Sequence, residues 1–228
     1  MGTAVVTGAT GGIGSAIVRA LAGRGDQVLA VGRSAAALDQ LCSGVELAVP
    51  VQIDLGKPFE VHPALTATEQ VDVLVHCAAV ADVAAVEDTP WALWEEIVRV
   101  NLVAAAELTR LLLPALRSVS GRVVFINAAV GVTAVPRWSA FAGSKAALRE
   151  LADSLREEEA THGVRVTTIY PDGTATERLR IVRAQFGRPF DPERCISPET
   201  LASLVVSVVE SPADAYLSEL TVRATPRP

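Results

Sequence analysis

The stretch Thr7-Gly8-Ala9-Thr10-Gly11-Gly12-Ile13-Gly14 decides how this chain is read. It closes a short apolar run over residues 3–7 and opens a helical pattern over residues 12–24. Glycines at 8, 12 and 14 give the spacing GxxxGxG. Small residues let the backbone pass close to a phosphate pair. The new helix then aims its free N–H groups and positive dipole end at that position. The plain structural alternative is a glycine-rich turn with no ligand. The place of the motif, on the first strand of a strand–helix series, favours phosphate binding.

Working outward, short apolar runs rich in β-branched residues recur at 27–31, 46–53, 71–76, 122–127, 165–170 and 216–222. Helical patterns lie between them at 35–42, 91–117, 139–162 and 198–210. Strands separated by helices of this length are βαβ units, and near-continuous apolar strands fit a parallel sheet covered on both faces. Two segments are less regular. Residues 56–69 hold two prolines and read as a loop with one helical turn. Residues 172–197 are rich in Arg, Gly and Pro, and read as a flap over a ligand site or as a long surface connection. No linker or repeat stands out, so residues 1–228 are expected to form one domain.

Composition narrows the function. Half of the 228 residues are hydrophobic, 20% are charged and the net charge is −6, with a pI near 5.2. A packed core is expected, and nothing suggests the basic face of a nucleic-acid binder. The most apolar stretches are broken by Asp72, Asp82, Arg99, Glu107 and Arg110, so no membrane span is expected. The N-terminus lacks the pattern of a secretory signal. Cys42, Cys77 and Cys195 are odd in number and widely spaced. They suggest no disulfide framework and no metal site, and fit a cytoplasmic protein.

The second strand ends Val31-Gly32-Arg33-Ser34. A dinucleotide site for NAD places an acidic residue here, whereas Arg suits the 2′-phosphate of NADP. Arg33, with Ser34 as an extra donor, therefore favours NADP(H). The alternative is one more solvated arginine among 18. Asp54, at the end of the third strand, is placed to accept from an adenine amino group or to cap its own loop.

These motifs resemble the short-chain dehydrogenase/reductase family, from Thr3 to about Val222. The likeness rests on TGATGGIG at 7–14, VGRS at 31–34, Asp54, VLVHCAA at 73–79, RVNL around Asn101, the Phe141…Lys145 pair, and YPDGTAT at 170–176. It implies an α/β fold: a Rossmann-like, doubly wound parallel sheet of about seven strands with helices on both faces. It implies hydride transfer between NAD(P) and a carbonyl or alcohol substrate, and a homodimer or homotetramer built on the helices at 91–117 and 139–162. Cofactor contacts carried over are Gly8, Thr10, Gly12, Ile13, Gly14, Arg33, Ser34, Asp54, Ala78, Lys145 and Thr176.

In that family a Tyr phenol donates the proton and a Lys four residues later lowers its pKa. A Ser holds the substrate oxygen, and an Asn anchors a water in the relay. Here Lys145 and Asn101 stand at the matching positions, but the Tyr position is Phe141 and the Ser position is Ala128. Ala79 and Asp172 also replace family glycines. General acid help is typically worth ~10²–10⁴-fold, so both losses together point to impaired or unconventional proton donation. Ser139, Ser144, His76, Cys77 and Tyr170 are candidate replacements, with His76 first because imidazole titrates near neutrality. Trp138 and Phe141 read as an apolar wall, of either core or substrate pocket. The leading reading is an NADP(H)-dependent oxidoreductase with altered proton donation. The alternatives are an inactive NADP(H)-binding sensor or partner subunit, a non-redox enzyme on the same scaffold, and an engineered Ser/Tyr knock-out of a reductase.

Overall fold

The computed structural model describes residues 2–57, 62–129, 134–212 and 214–225. Seven strands form one sheet: β1 (Thr3–Thr7), β2 (Gln27–Gly32), β3 (Ala48–Gln52), β4 (Val73–His76), β5 (Arg122–Ile126), β6 (Arg165–Pro171) and β7 (Glu219–Val222). Their order is β3-β2-β1-β4-β5-β6-β7, and every pairing is parallel. The register of Val5 opposite Leu29 on one side and Leu74 on the other sets β1 between β2 and β4.

Both sheet faces are covered, as the apolar runs require. One face is packed by α1 (Gly12–Gly23), α2 (Ala35–Ser43) and α8 (Pro198–Val209), through Ile17, Leu21, Leu38, Leu201 and Val205. The other is covered by α5 (Ala104–Arg117) and α6 (Ser139–Glu159), through Leu108, Leu112, Leu148 and Leu155. The period of two divides each strand between the faces. In β4, Val73 and Val75 join the first core and Leu74 the second. Leu108, Leu112 and Ala115 are therefore committed to the sheet, and Leu111 is half-buried.

Two features differ from the sequence reading. The helix expected over 91–117 is not uniform: α4 (Trp91–Val98) passes into α5 through a π-helical turn, Arg99–Val103. The segment 172–197 holds a helix, α7 (Glu177–Gln185), capped by the Thr176 hydroxyl, which accepts from the Leu179 N–H. Its end is pinned by a parallel bridge between Thr174 and Ile196. Within 56–69 the expected helical turn is α3 (Pro63–Thr66); residues 58–61 of that segment lie outside the described residues. Among the described residues no helix is long and apolar enough to cross a membrane, and no cluster of three metal-ligating side chains exists.

Candidate active site

The strand order reverses between β1 and β4, and a parallel sheet opens a crevice at the carboxyl ends of its strands at such a point. Here the Thr7 hydroxyl crosses that point, donating to the Val75 carbonyl and accepting from the N–H groups of Cys77 and Ala78. A cleft of about 720 Å³ lies above it.

The glycine loop floors one end of the cleft, and two of its glycines are structurally demanded. Gly8 has φ +65°, and a Cβ there would sit 2.8 Å from the Ala78 Cα. At Gly14 a Cβ would come 2.1 Å from the Gly8 carbonyl oxygen. The helix that follows starts at Gly11 with no side-chain cap, so its leading N–H groups at Gly12, Ile13 and Gly14 meet the cleft with no side chain satisfying them. Thr10 lines the same end.

Arg33 also lines the cleft, and among the described residues nothing pairs with its guanidinium; only its carbonyl is used, accepting from Gln52 Nε2. Ser34 lies outside the lining and caps α2, accepting from the Ala37 N–H. Asp54 lines the cleft but is occupied by its own loop: Oδ1 accepts from the Gly56 N–H and Oδ2 lies 3.6 Å from Lys57 Nζ. Ala78 and Thr176 line it too, with Thr176 leaning over Gly12: a Cβ there would meet the Thr176 Cγ2 at 2.7 Å.

Lys145, Ala128 and Phe141 meet at the middle of the cleft. The helix α6 sets Phe141 and Lys145 one turn apart, with the ammonium 6.0 Å from the ring centre. Lys145 Nζ donates to the Ile126 carbonyl, at 3.0 Å. Asn127 Nδ2 donates to the Lys145 carbonyl, and Asn127 Oδ1 accepts from the Ala128 N–H. Burial pulls the Lys145 ammonium down to about 8, partly opposed by Cys77. Asn101 stands behind this group, in the π-helical turn and outside the cleft lining. Its amide holds the Val80 backbone at both N–H and carbonyl and donates to the Ser144 hydroxyl. It lines a separate cavity of about 10 Å³ beside Thr7 and His76.

The candidate replacement donors do not gather here. His76, first among them, points to the α5 face of the sheet, as its place after Leu74 and before Phe125 on the neighbouring strand dictates. Its Nε2 is 2.8 Å from the Thr109 hydroxyl and its ring stacks on Phe125 at 4.8 Å. Burial, helped by the Lys145 charge, drives it down to about 3, so it stays neutral at physiological pH. The Tyr170 hydroxyl donates a hydrogen bond to Glu219 Oε1, and burial first and that bond second push its pKa up to about 12. Ser144 donates back to the Phe141 carbonyl. Ser139 is buried without a partner and is not part of the lining. Cys77 does line the cleft, but burial pushes its thiol up to about 12.

The far end is apolar. Trp138 stacks on Phe141 at 4.3 Å and meets Phe186 edge-on at 5.7 Å. With Ala81, Val182 and Ala128 these rings form a third cluster, apart from the two sheet cores. Residues 172–197 contribute this wall through α7, which adds Arg178 and Arg183 to the lining, and through Arg188 just beyond its end. Asp172 lines the cleft as well, and its Oδ2 accepts from the Ala224 N–H. Phe190, four residues beyond Phe186, is not in the lining. Glu96, on α4, is a cleft residue that sequence reasoning missed: it lies on the polar side of a short helix and carries no motif.

Comparison with known proteins agrees with this geometry. A family model described as short chain dehydrogenase matches residues 2–186. An uncharacterized short-chain type dehydrogenase/reductase of Sinorhizobium fredii is 32% identical over 227 residues, covering 97% of this chain and 91% of that protein. The ketoacyl reductase HetN of a Nostoc species is 32% identical over 220 residues, covering 92% of this chain and 75% of its own. A metagenomic short-chain oxidoreductase solved in complex with NADP superposes with a TM-score of 0.81 at 27% identity, over 99% of this chain and 98% of that one. The glycine loop, the seven-stranded parallel sheet and these matches together make this chain a member of the short-chain dehydrogenase family.

Proposed function

We propose that the protein is an NADP(H)-dependent oxidoreductase acting on a carbonyl or alcohol substrate, with impaired proton donation at the reacting oxygen. One observation carries the reading: a single cleft joins the glycine loop and the unpaired Arg33 to a buried Lys145 set between Ala128 and Phe141. The cofactor fits the residues present. A Cβ at Gly8 or Gly14 would meet backbone, so the chain keeps glycine where a pyrophosphate needs close approach. The uncapped start of α1 would hold that pyrophosphate, and Arg33 the 2′-phosphate. Lys145 would hold the hydroxyls of the second ribose, Ala78 would offer backbone, and Thr176 a hydroxyl, to the nicotinamide half. Bound nicotinamide supplies or accepts hydride.

What remains for the chain is the proton. Ala128 and Phe141 have none to give, and His76, Cys77 and Tyr170 are held in forms that do not exchange one near neutrality. Lys145, in the cleft, is brought down to about 8 by burial. This same set of facts favours a second reading, cofactor binding without turnover. The flap role of residues 172–197 and a homodimer or homotetramer belong to the same proposal.

The test is NADPH consumption across a panel of aldehydes and ketones, run beside the Ala128→Ser/Phe141→Tyr double variant, with NADPH binding measured separately. The proposal expects slow turnover in the protein itself and about 10²–10⁴-fold faster turnover in the double variant. Tight NADPH binding with no turnover by either protein would establish the second reading. Product formation with no change in NADPH would sink both and point to non-redox chemistry.

A further inference from the structure

The helix α7 spans the cleft from end to end. Its first turn lies at the glycine loop, where Thr176 touches Gly12, and its last turn lies against the aromatic cluster through Val182 and Phe186. Arg178, Val182 and Phe186 follow at intervals of four and so share one face. The helix of nine residues is about 13 Å long at 1.5 Å per residue. It therefore separates Arg178, at the phosphate end, from Arg188 at the aromatic end.

Arg188 is fixed there by the backbone. α7 stops at Gly187, which has φ +66°. The Arg188 N–H donates to the Arg183 carbonyl and the Gly187 N–H to the Ala184 carbonyl. This paired closure reverses the chain and returns Arg188 over the ring of Phe186, with 5.4 Å from guanidinium to ring centre. Arg183 is committed elsewhere, donating to the Pro189 carbonyl. Among the described residues no carboxylate pairs with Arg188. Of the three acids that line the cleft, Asp54 lies by Lys57, Asp172 accepts from the Ala224 N–H, and Glu96 stands on α4.

From this we infer that the far end of the cleft takes a flat aromatic carboxylate, its ring laid against the cleft-facing side of the Trp138–Phe141–Phe186 cluster and its carboxylate on Arg188. The aromatic cluster contributes nothing to either sheet core, and the two replaced positions, Ala128 and Phe141, belong to it. Rings favour offset or edge-on neighbours about 4.5–7 Å away. Guanidinium matches carboxylate geometry and stacks on aromatic faces at once. A neutral aromatic would fill the cluster and leave Arg188 unmatched, while an aliphatic acid would leave the rings unmatched.

The inference deepens the proposed function by naming its substrate class, and binding tests it without turnover. The probes are 2-naphthoate and 2-naphthylmethanol, titrated by calorimetry with and without saturating NADP⁺, while NADPH binding is followed by its own fluorescence. We expect naphthoate to bind at least tenfold tighter than the alcohol, the span of a charge-assisted hydrogen bond. Arg188→Gln should bring that ratio near one and leave NADPH affinity intact. Arg178→Gln should keep the ratio within about threefold, and Phe186→Leu should weaken both probes alike. Equal binding of the two probes, or a ratio that survives Arg188→Gln, overturns the inference; so does a ratio erased by Arg178→Gln alone. Failure of NADPH to bind while naphthoate still discriminates would instead remove the cofactor reading and leave this one standing.

Discussion

Two glycines at opposite ends of α1 should answer the same substitution with opposite signs. At Gly14 a Cβ would stand 2.1 Å from the Gly8 oxygen and 2.8 Å from the Gly8 carbon. That is roughly 1 Å inside ordinary contact, and the opposing atoms are backbone, which cannot rotate aside. Either α1 backs away or the Gly8 peptide turns. The first disturbs Ile17, Val18 and Leu21, all fully buried; the second disturbs a residue already at φ +65°. Overpacking of this kind costs about 1–3 kcal/mol, or a melting point lower by roughly 2–10 °C for a chain of this size. At Gly23 nothing lies within 4 Å of the added carbon. Gly23→Ala should therefore stabilise by about 0.5–1 kcal/mol, the helix preference of alanine over glycine. Thermal melts and NADPH titration of both variants give the comparison. Gly14→Ala should also lose NADPH affinity by tenfold or more, because a shift near 1 Å misaims the start of the helix. A Gly14→Ala protein as stable as the parent, with undiminished affinity, would refute the reasoning.

Arg33→Asp should lower NADPH affinity by tenfold or more while leaving NADH affinity and the melting point nearly unchanged, since the exposed guanidinium has no internal partner; equal loss for both nucleotides would contradict the 2′-phosphate role. Glu159 is 1% exposed and accepts both arms of Arg117, at 2.8 and 2.7 Å, which holds its carboxyl below the usual carboxylate value. Its unfolded form binds protons first, so its contribution is present above the ordinary carboxylate range and fades as pH falls through the lowered value; Glu159→Gln should cost about 1–2 kcal/mol at pH 7 and less at pH 3, by denaturant titration. Lys145 runs the other way: its ammonium binds protons less readily folded than unfolded, so stability of the free protein should climb between about pH 8 and 10.5. Lys145→Met should remove that climb and raise stability at pH 7 by roughly 3 kcal/mol, the size of the downward shift at about 1.4 kcal/mol per unit; a pH profile identical to the parent would count against the buried charge.

Most of the strands were legible because a sheet buried on both faces leaves unbroken apolar runs, and the glycine loop marks where the first one ends. The π-helical turn was not, because apolar residues continue across 91–117 and one extra residue per turn leaves no break in a pattern read by eye. Asn101 was the available signal: a buried amide in an apolar helix must be answered, and here the Val80 backbone answers it. The helix α7 was hidden by its composition, four arginines in twelve residues from 177 to 188. Thr176 followed by Glu177 is a helix start, but Thr176 had been read for its hydroxyl alone. His76 was misjudged for a topological reason. Its position at a strand end is plain in the sequence, whereas the face it takes depends on which neighbour strand and helix meet it, and those contacts are long-range.

The half-set of family groups in this cleft has a physical asymmetry. Ala128 and Phe141 join an apolar cluster and satisfy themselves by burial. Lys145 does the reverse: its charge sits in a buried place, with one protein acceptor among the described residues, the Ile126 carbonyl, for three donors. A fold relaxing toward stability alone has all three exchanges open to it, and the lysine is the one with most to gain. The chain carries the two neutral replacements and holds the costly cation. An ammonium with unused donors beside a cleft is stabilised by whatever oxygen-bearing ligand enters, through the lone pairs that ligand brings. Arg33 repeats the pattern in the same cleft, a guanidinium with no partner among the described residues. Two cations with donors to spare and no carboxylate partner among the described residues, both facing one glycine-floored cleft, therefore argue that a ligand completes this site, whether or not the proton is delivered quickly.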